Sequence, residues 1–138
     1  MTQTWKAWVS LGALNGLCAT AAGAYAAHGF KAPEPVLEKA FATGVEYQFW
    51  HALALLAVAW LAERGESAGK KPWLVRLAGL AFVLGIALFS GTLYVFGASG
   101  AVWMSGAAPA GGILLMTGWA LLALSPIGGR ARANPRAH

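Results

Sequence analysis

Apolar residues arrive in four long blocks separated by short polar stretches. The blocks run from Trp8 to Ala27, from about Thr43 to Leu61 or Ala62, from Leu77 to Phe96, and from about Ala107 to Leu124. Each is close to the roughly 17–25 residues that a helix needs to cross the hydrocarbon of a bilayer. Backbone N–H and C=O groups find no water there, so each block must satisfy them internally, as a helix does. The pattern predicts an all-α integral membrane four-helix bundle. It forms one domain over residues 1–138, with spans near 8–27, 43–62, 77–96 and 107–124 and a basic tail over 125–138.

The first block also resembles a secretory signal, with Lys6 ahead of it and Ala24-Tyr25-Ala26 as a cleavage site. Against cleavage stands a stripe of small residues: Gly12, Gly16, Ala19, Gly23 and Ala26. Steps of four and three keep them on one helix face, which a permanent packing helix needs and a signal does not. The block is expected to be retained.

Composition agrees with a lipid solvent. The chain is 58% hydrophobic and 11% charged, too apolar for 138 residues to bury in a soluble core. Its net charge of +5 does not point to nucleic acid, because the cations lie in short segments between apolar blocks and form no basic stripe. Their distribution instead predicts orientation. Lys6, Arg64, Lys70, Lys71, Arg76, Arg130, Arg132 and Arg136 fall on the side that carries both termini, whereas Lys31 and Lys39 fall on the other. Positive charge favours the cytoplasmic side, so both termini are expected in the cytoplasm. The single cysteine, Cys18, is expected as a small packing residue within the first span. Trp5, Trp8, Trp73 and Trp103, near span ends, are expected as interfacial anchors.

Between the first two spans, Pro33-Glu34-Pro35 has the features of a helix start, with Val36, Leu37, Ala40, Phe41 and Val45 following at helical spacing. One helix beginning near Pro35 and entering the second span fits this pattern. A separate short surface helix fits it equally.

The chemistry concentrates at Thr43-Gly44-Val45-Glu46-Tyr47-Gln48-Phe49-Trp50-His51. A carboxylate, an amide and an imidazole enter a spanning helix, where ionisable groups mark function or interhelical pairing. At about 1.5 Å per residue, His51 lies near the midplane and Glu46 roughly 7 Å higher. The other spans bring His28, Ser90 and Tyr94 to the outer half, giving a candidate polar cluster of His28, Glu46, Tyr47, Gln48, His51, Ser90 and Tyr94. Tyr47, Gln48 and His51 share a helix face, while Glu46 stands about 140° away from His51. Glu46 is therefore expected to meet another helix, with His28, Tyr94 or the N-terminus opened by Pro109 as partners. Each of these groups also has a purely structural reading as an interhelical hydrogen-bond anchor. Gly12, Gly16, Gly23, Gly44, Gly91, Gly111, Gly112 and Gly118, with Pro109, are expected at helix contacts.

Catalytic residues and a cofactor are not indicated. The chain has no nucleophile elbow, phosphate-binding loop or haem-attachment motif. His28, Glu46 and His51 form the one conceivable metal set but lack ligand-pair spacing, so no metal is expected.

Four blocks carry a resemblance to a known family. They are Gly23-Ala24-Tyr25-Ala26-Ala27-His28; Thr43-Gly44-Val45-Glu46-Tyr47-Gln48 with His51; Leu88-Phe89-Ser90-Gly91-Thr92-Leu93-Tyr94; and Pro109 with Gly111-Gly112, then Gly118-Trp119. Through them the chain resembles the small bacterial inner-membrane proteins of domain of unknown function 423, the YgdD family, which is related to the eukaryotic transmembrane protein 256. Ala26 stands where the resemblance leads one to expect Gly, and Ala108 where Thr is usual. The resemblance implies a four-helix protein of the inner membrane and implies no activity.

Size, short loops and small-residue stripes point first to an interaction or assembly component, working in the lipid bilayer as a homo-oligomer or within a larger membrane complex. Glu46, Gln48 and His51 at depth raise a second expectation, an oligomeric transporter or channel component for protons, ions or a small solute. A membrane enzyme acting on a lipid or quinone is a third.

Overall fold

A computed structural model describes residues 3–125. The basic tail beyond Ser125 lies outside the described residues, as do Arg130, Arg132 and Arg136. The described chain forms four helices: α1 (Thr4–His28), α2 (Pro35–Ser67), α3 (Trp73–Ser99) and α4 (Ala107–Leu124). All four are long and apolar enough to span a membrane.

Local chemistry sets the breaks. Helix α1 stops at Gly29, whose N–H bonds the Tyr25 carbonyl at 2.8 Å. Pro35 opens α2, where its missing N–H costs no helical bond, and the first-turn Glu38 carboxylate accepts the Ala32 N–H at 3.1 Å. Gly100 ends α3 at φ 70°, a left-handed conformation that favours glycine. Gly106, at φ 86°, leads into α4.

Helix α2 runs unbroken from Pro35, so the two alternatives for the first loop resolve to one continuous helix. Its 33 residues span roughly 50 Å, well beyond a hydrocarbon core of about 30 Å. The added turns are held by packing: Leu37 and Phe41 are buried where Gly97 of α3 approaches them. Phe41 also joins an aromatic chain to Phe30 at 4.7 Å and to Tyr94 at 4.9 Å between ring centroids.

Neighbours in sequence are neighbours in space: α1 packs on α2, α2 on α3, and α3 on α4. The two central helices are more buried than α1 and α4, which form the exposed flanks. Leu55, Val58, Ala62, Ala78, Phe82, Ile86 and Leu115 form the core. Water does not drive such helices together in lipid; close van der Waals packing does, and small residues permit it. Gly111 is the clearest instance. A Cβ there would lie 2.9 Å from Phe89 Cα, so α3 and α4 meet backbone to backbone.

Two expectations are corrected. Trp8 is 8% exposed and lies against Gly79 of α3, making it a core residue where an interfacial anchor was expected. Cys18 is exposed on α1, where a packing role was expected. In both cases helix phase decides. Trp8 falls within the packed face of α1, and Cys18 falls outside it.

Candidate functional site

The stripe on α1 meets α2 directly. A Cβ on Gly12 would approach the Ala52 carbonyl to 3.0 Å, one on Gly16 would touch Ala52 at 3.9 Å, and one on Gly23 would meet Val45 at 3.3 Å. This close approach brings Asn15 of α1 to Gln48 of α2. The Gln48 amide donates to Asn15 Oδ1 at 3.1 Å, and Asn15 donates to the Leu11 carbonyl at 2.9 Å. From the other side, the Tyr94 hydroxyl of α3 donates to Gln48 Oε1 at 2.6 Å. A hydrogen-bonded chain thus crosses three helices, and Gln48 uses both ends of its amide. Gly44 makes room for it, since a Cβ there would sit 3.1 Å from the Tyr94 ring.

One turn deeper, His51 is 4% exposed. Trp119 of α4 donates its indole N–H to His51 Nε2 at 3.1 Å. An indole only donates, so Nε2 must accept, and Nδ1 carries the proton toward the Tyr47 carbonyl at 2.6 Å. The pattern is that of a neutral imidazole with both nitrogens satisfied. Phe82 and Tyr47 pack around it, with ring centroids 5.5 and 6.0 Å away. Gly118 admits the Phe82 ring beneath Trp119, and a Cβ there would lie within 3.0 Å of it.

Ser90, fully buried, has no hydrogen-bond partner for its hydroxyl among the described residues. Gly112 makes only ordinary contact with Phe89, at 3.8 Å, and Pro109 is exposed in the first turn of α4. A Cβ on Gly91 would meet nothing within 4 Å, so Gly91 is not a close-contact position.

The predicted cluster separates into parts. Gln48, Tyr94, Tyr47 and His51 face inward. His28 is exposed at the end of α1, and Glu46 is exposed on α2. The expected pairing of Glu46 with His28, Tyr94 or the start of α4 does not form; Tyr94 bonds Gln48 instead. Glu46 has no hydrogen-bond or ion-pair partner among the described residues. The reason is rotation. α1 and α3 flank the Gln48 and His51 side of α2, and Glu46 points to the open side. Its neighbours there, at helical spacing, are Phe49, Trp50 and Leu53, all exposed.

Sequence reasoning missed Asn15 and the role of Trp119. A polar residue at i−1 of Gly16, inside the small-residue stripe, was the available signal for Asn15. For Trp119 it was the indole N–H that any spanning Trp must place. No group of three or more His, Cys, Asp or Glu side chains that could hold a metal occurs among the described residues.

At the opposite end of the bundle, Glu66 ties three elements together. It accepts hydrogen bonds from the Thr4 hydroxyl of α1 and from Arg76 of α3, the latter at 3.0 Å. Desolvation opposes its charged form, but the Thr4 and Arg76 hydrogen bonds and the Arg76 charge outweigh it and hold the carboxyl below its ordinary value.

Comparison with known proteins places the chain in a family. The profile described as "Protein of unknown function (DUF423)" matches residues 22–112, from late α1 to the first turns of α4. The chain is 35% identical over 124 residues to the UPF0382 membrane protein YwdK of Bacillus subtilis, covering 88% of this chain and 97% of that one. It is 42% identical over 123 residues to a UPF0382 membrane protein of Haemophilus influenzae, covering 84% and 90% respectively. A UPF0382 membrane protein of Staphylococcus saprophyticus is 33% identical over 124 residues. No solved structure matches significantly. With four spanning helices and these relatives, the chain is a multi-pass protein of the bacterial inner membrane, and it belongs to the DUF423 family, whose function is not established.

Proposed function

We propose that this protein is an assembly component of the inner membrane, docking through the open face of α2 onto another membrane helix. The observation that carries this is Glu46, a carboxylate turned outward beside Phe49, Trp50 and Leu53. An ionised side chain facing lipid costs about 2.5–3.5 kcal/mol at the centre of a span and less toward the interface. A hydrogen-bond donor on a neighbouring helix removes that cost. Trp50 adds to the argument. It lies one residue before His51, near mid-span, whereas lipid-facing tryptophans favour the interfaces. Large aromatics of this kind are common anchors of protein contacts. The charge asymmetry along the sequence supports an orientation with both termini cytoplasmic, which puts Glu46 in the outer leaflet.

A transport role has less support, because Gln48 and His51 spend their bonding groups inside the bundle. Cysteine cross-linking in native membranes tests the docking reading, in a Cys18→Ala background. Leu53→Cys on the open face of α2 is expected to trap a cross-linked product, and Leu84→Cys on the exposed side of α3 is not. Adding Glu46→Gln should reduce trapping at position 53. Equal trapping at both positions, or trapping indifferent to Glu46→Gln, would overturn it.

A further inference from the structure

A second surface feature lies near the Ala68–Pro72 loop, away from Glu46. Between α1 and α2 runs an open groove of about 420 Å³, lined by Trp5, Val9, Leu56, Ala59, Trp60 and Glu63. Its walls are apolar apart from Glu63, whose carboxylate accepts the Ser67 hydroxyl at 3.1 Å. It starts at the second residue of α1, Trp5, a residue type that favours the membrane–water interface. Two cations stand on its own tryptophans. Lys6 Nζ lies 5.6 Å from the centre of the Trp5 ring, and the Arg64 guanidinium lies 4.8 Å from that of Trp60. Glu66 is engaged by Arg76 and Thr4 and Glu63 accepts from Ser67, and neither carboxylate forms an ion pair with Lys6 or Arg64 among the described residues.

We propose that this groove seats an acyl chain of one anionic phospholipid, with the headgroup phosphate held between Lys6 and Arg64. The occupant follows from complementarity. An apolar trough open to the bilayer takes a hydrocarbon chain, and a cation on each of its two tryptophans favours net negative charge. Both cations place their charged ends over the indole rings, and both side chains are exposed, so the charges stay within reach of a headgroup. Lys70 and Lys71 in the adjoining loop add to the positive field there. Stacking on Trp5 and Trp60 restricts Lys6 and Arg64, which lowers the ordering cost of gripping a headgroup.

The test is native mass spectrometry of the full chain incubated with an equimolar mixture of phosphatidylglycerol and phosphatidylcholine. Each cation near an anionic headgroup contributes about fivefold. The wild type should therefore retain one phosphatidylglycerol with a preference of roughly tenfold or more. Lys6→Gln/Arg64→Gln, at two exposed positions, should bring the two lipids to near-equal retention. Val9→Trp, which fills the groove from an exposed wall and leaves both charges, should lose the bound lipid. Lys6→Arg should keep the preference. Equal retention by the wild type, or wild-type retention by either the double variant or Val9→Trp, would overturn the proposal.

Discussion

Glu46 and Gln48 stand two residues apart on α2 and meet opposite surroundings. Gln48 faces the bundle, where α1 and α3 supply an acceptor and a donor at 3.1 and 2.6 Å. Glu46 faces away from every other helix. The two faces of one helix therefore do different work. The inner face closes its polar accounts within the chain and fixes how three helices meet. The outer face leaves a carboxylate open beside exposed aromatics, and that is the feature a partner would use. A polar group inside a span does not by itself mean function; its state of pairing separates anchor from docking site.

Substitutions can break either side of this contrast. The largest effect is expected on the packing that builds the inner face. Gly111→Val forces α4 off the Phe89 backbone and should destabilise the bundle by about 3 kcal/mol or more, read as loss of thermal stability in detergent. Gly91→Ala, where the space is open, should stay within about 0.5 kcal/mol of wild type. His51→Ala removes the acceptor of the Trp119 indole and leaves a void beside Phe82. It should cost about 2 kcal/mol and shift Trp fluorescence.

Breaking the three-helix chain is milder, since hydrogen bonds between membrane helices average about 0.6 kcal/mol and reach about 1.7. Gln48→Leu should fall in that range, and Tyr94→Phe at its lower end, in the same thermal assay. Glu46→Gln should leave stability within about 0.5 kcal/mol while weakening association, the reverse of the Gln48 result.

The smallest effect concerns pH. Glu66 has a depressed folded-state value, so its contribution is fully present above the unfolded value of 4.5 and is lost as pH falls through the folded one. Acid melting curves should therefore drop below about pH 4.5 more steeply for wild type than for Glu66→Gln.

Much of this fold was legible before any coordinates. Apolar block length set four helices, and the spacing of Gly12, Gly16, Ala19 and Gly23 marked the face of α1 that meets α2. The helical wheel separated Glu46 from His51 correctly. It did not show on which sides of α2 the other helices lie, and so it assigned Glu46 an inward partner. That choice depends on the handedness with which α1 and α3 pack around α2, which no local spacing encodes. The same limit explains Trp8, whose position near a span end suggested an anchor but whose phase carried it against Gly79. Gly91 and Gly97 show it again. They are six residues apart on α3 and about 120° apart around it, and one faces open space while the other meets Phe41 of the extended α2.

The most direct test of the docking face is native mass spectrometry of the protein extracted from its own membrane in mild detergent, comparing wild type with Glu46→Gln. Wild type should carry a second polypeptide, another copy or a different chain. Glu46→Gln should lose this companion while its helix content and melting temperature are unchanged. A monomer in both samples, or the same complex in both, would contradict it.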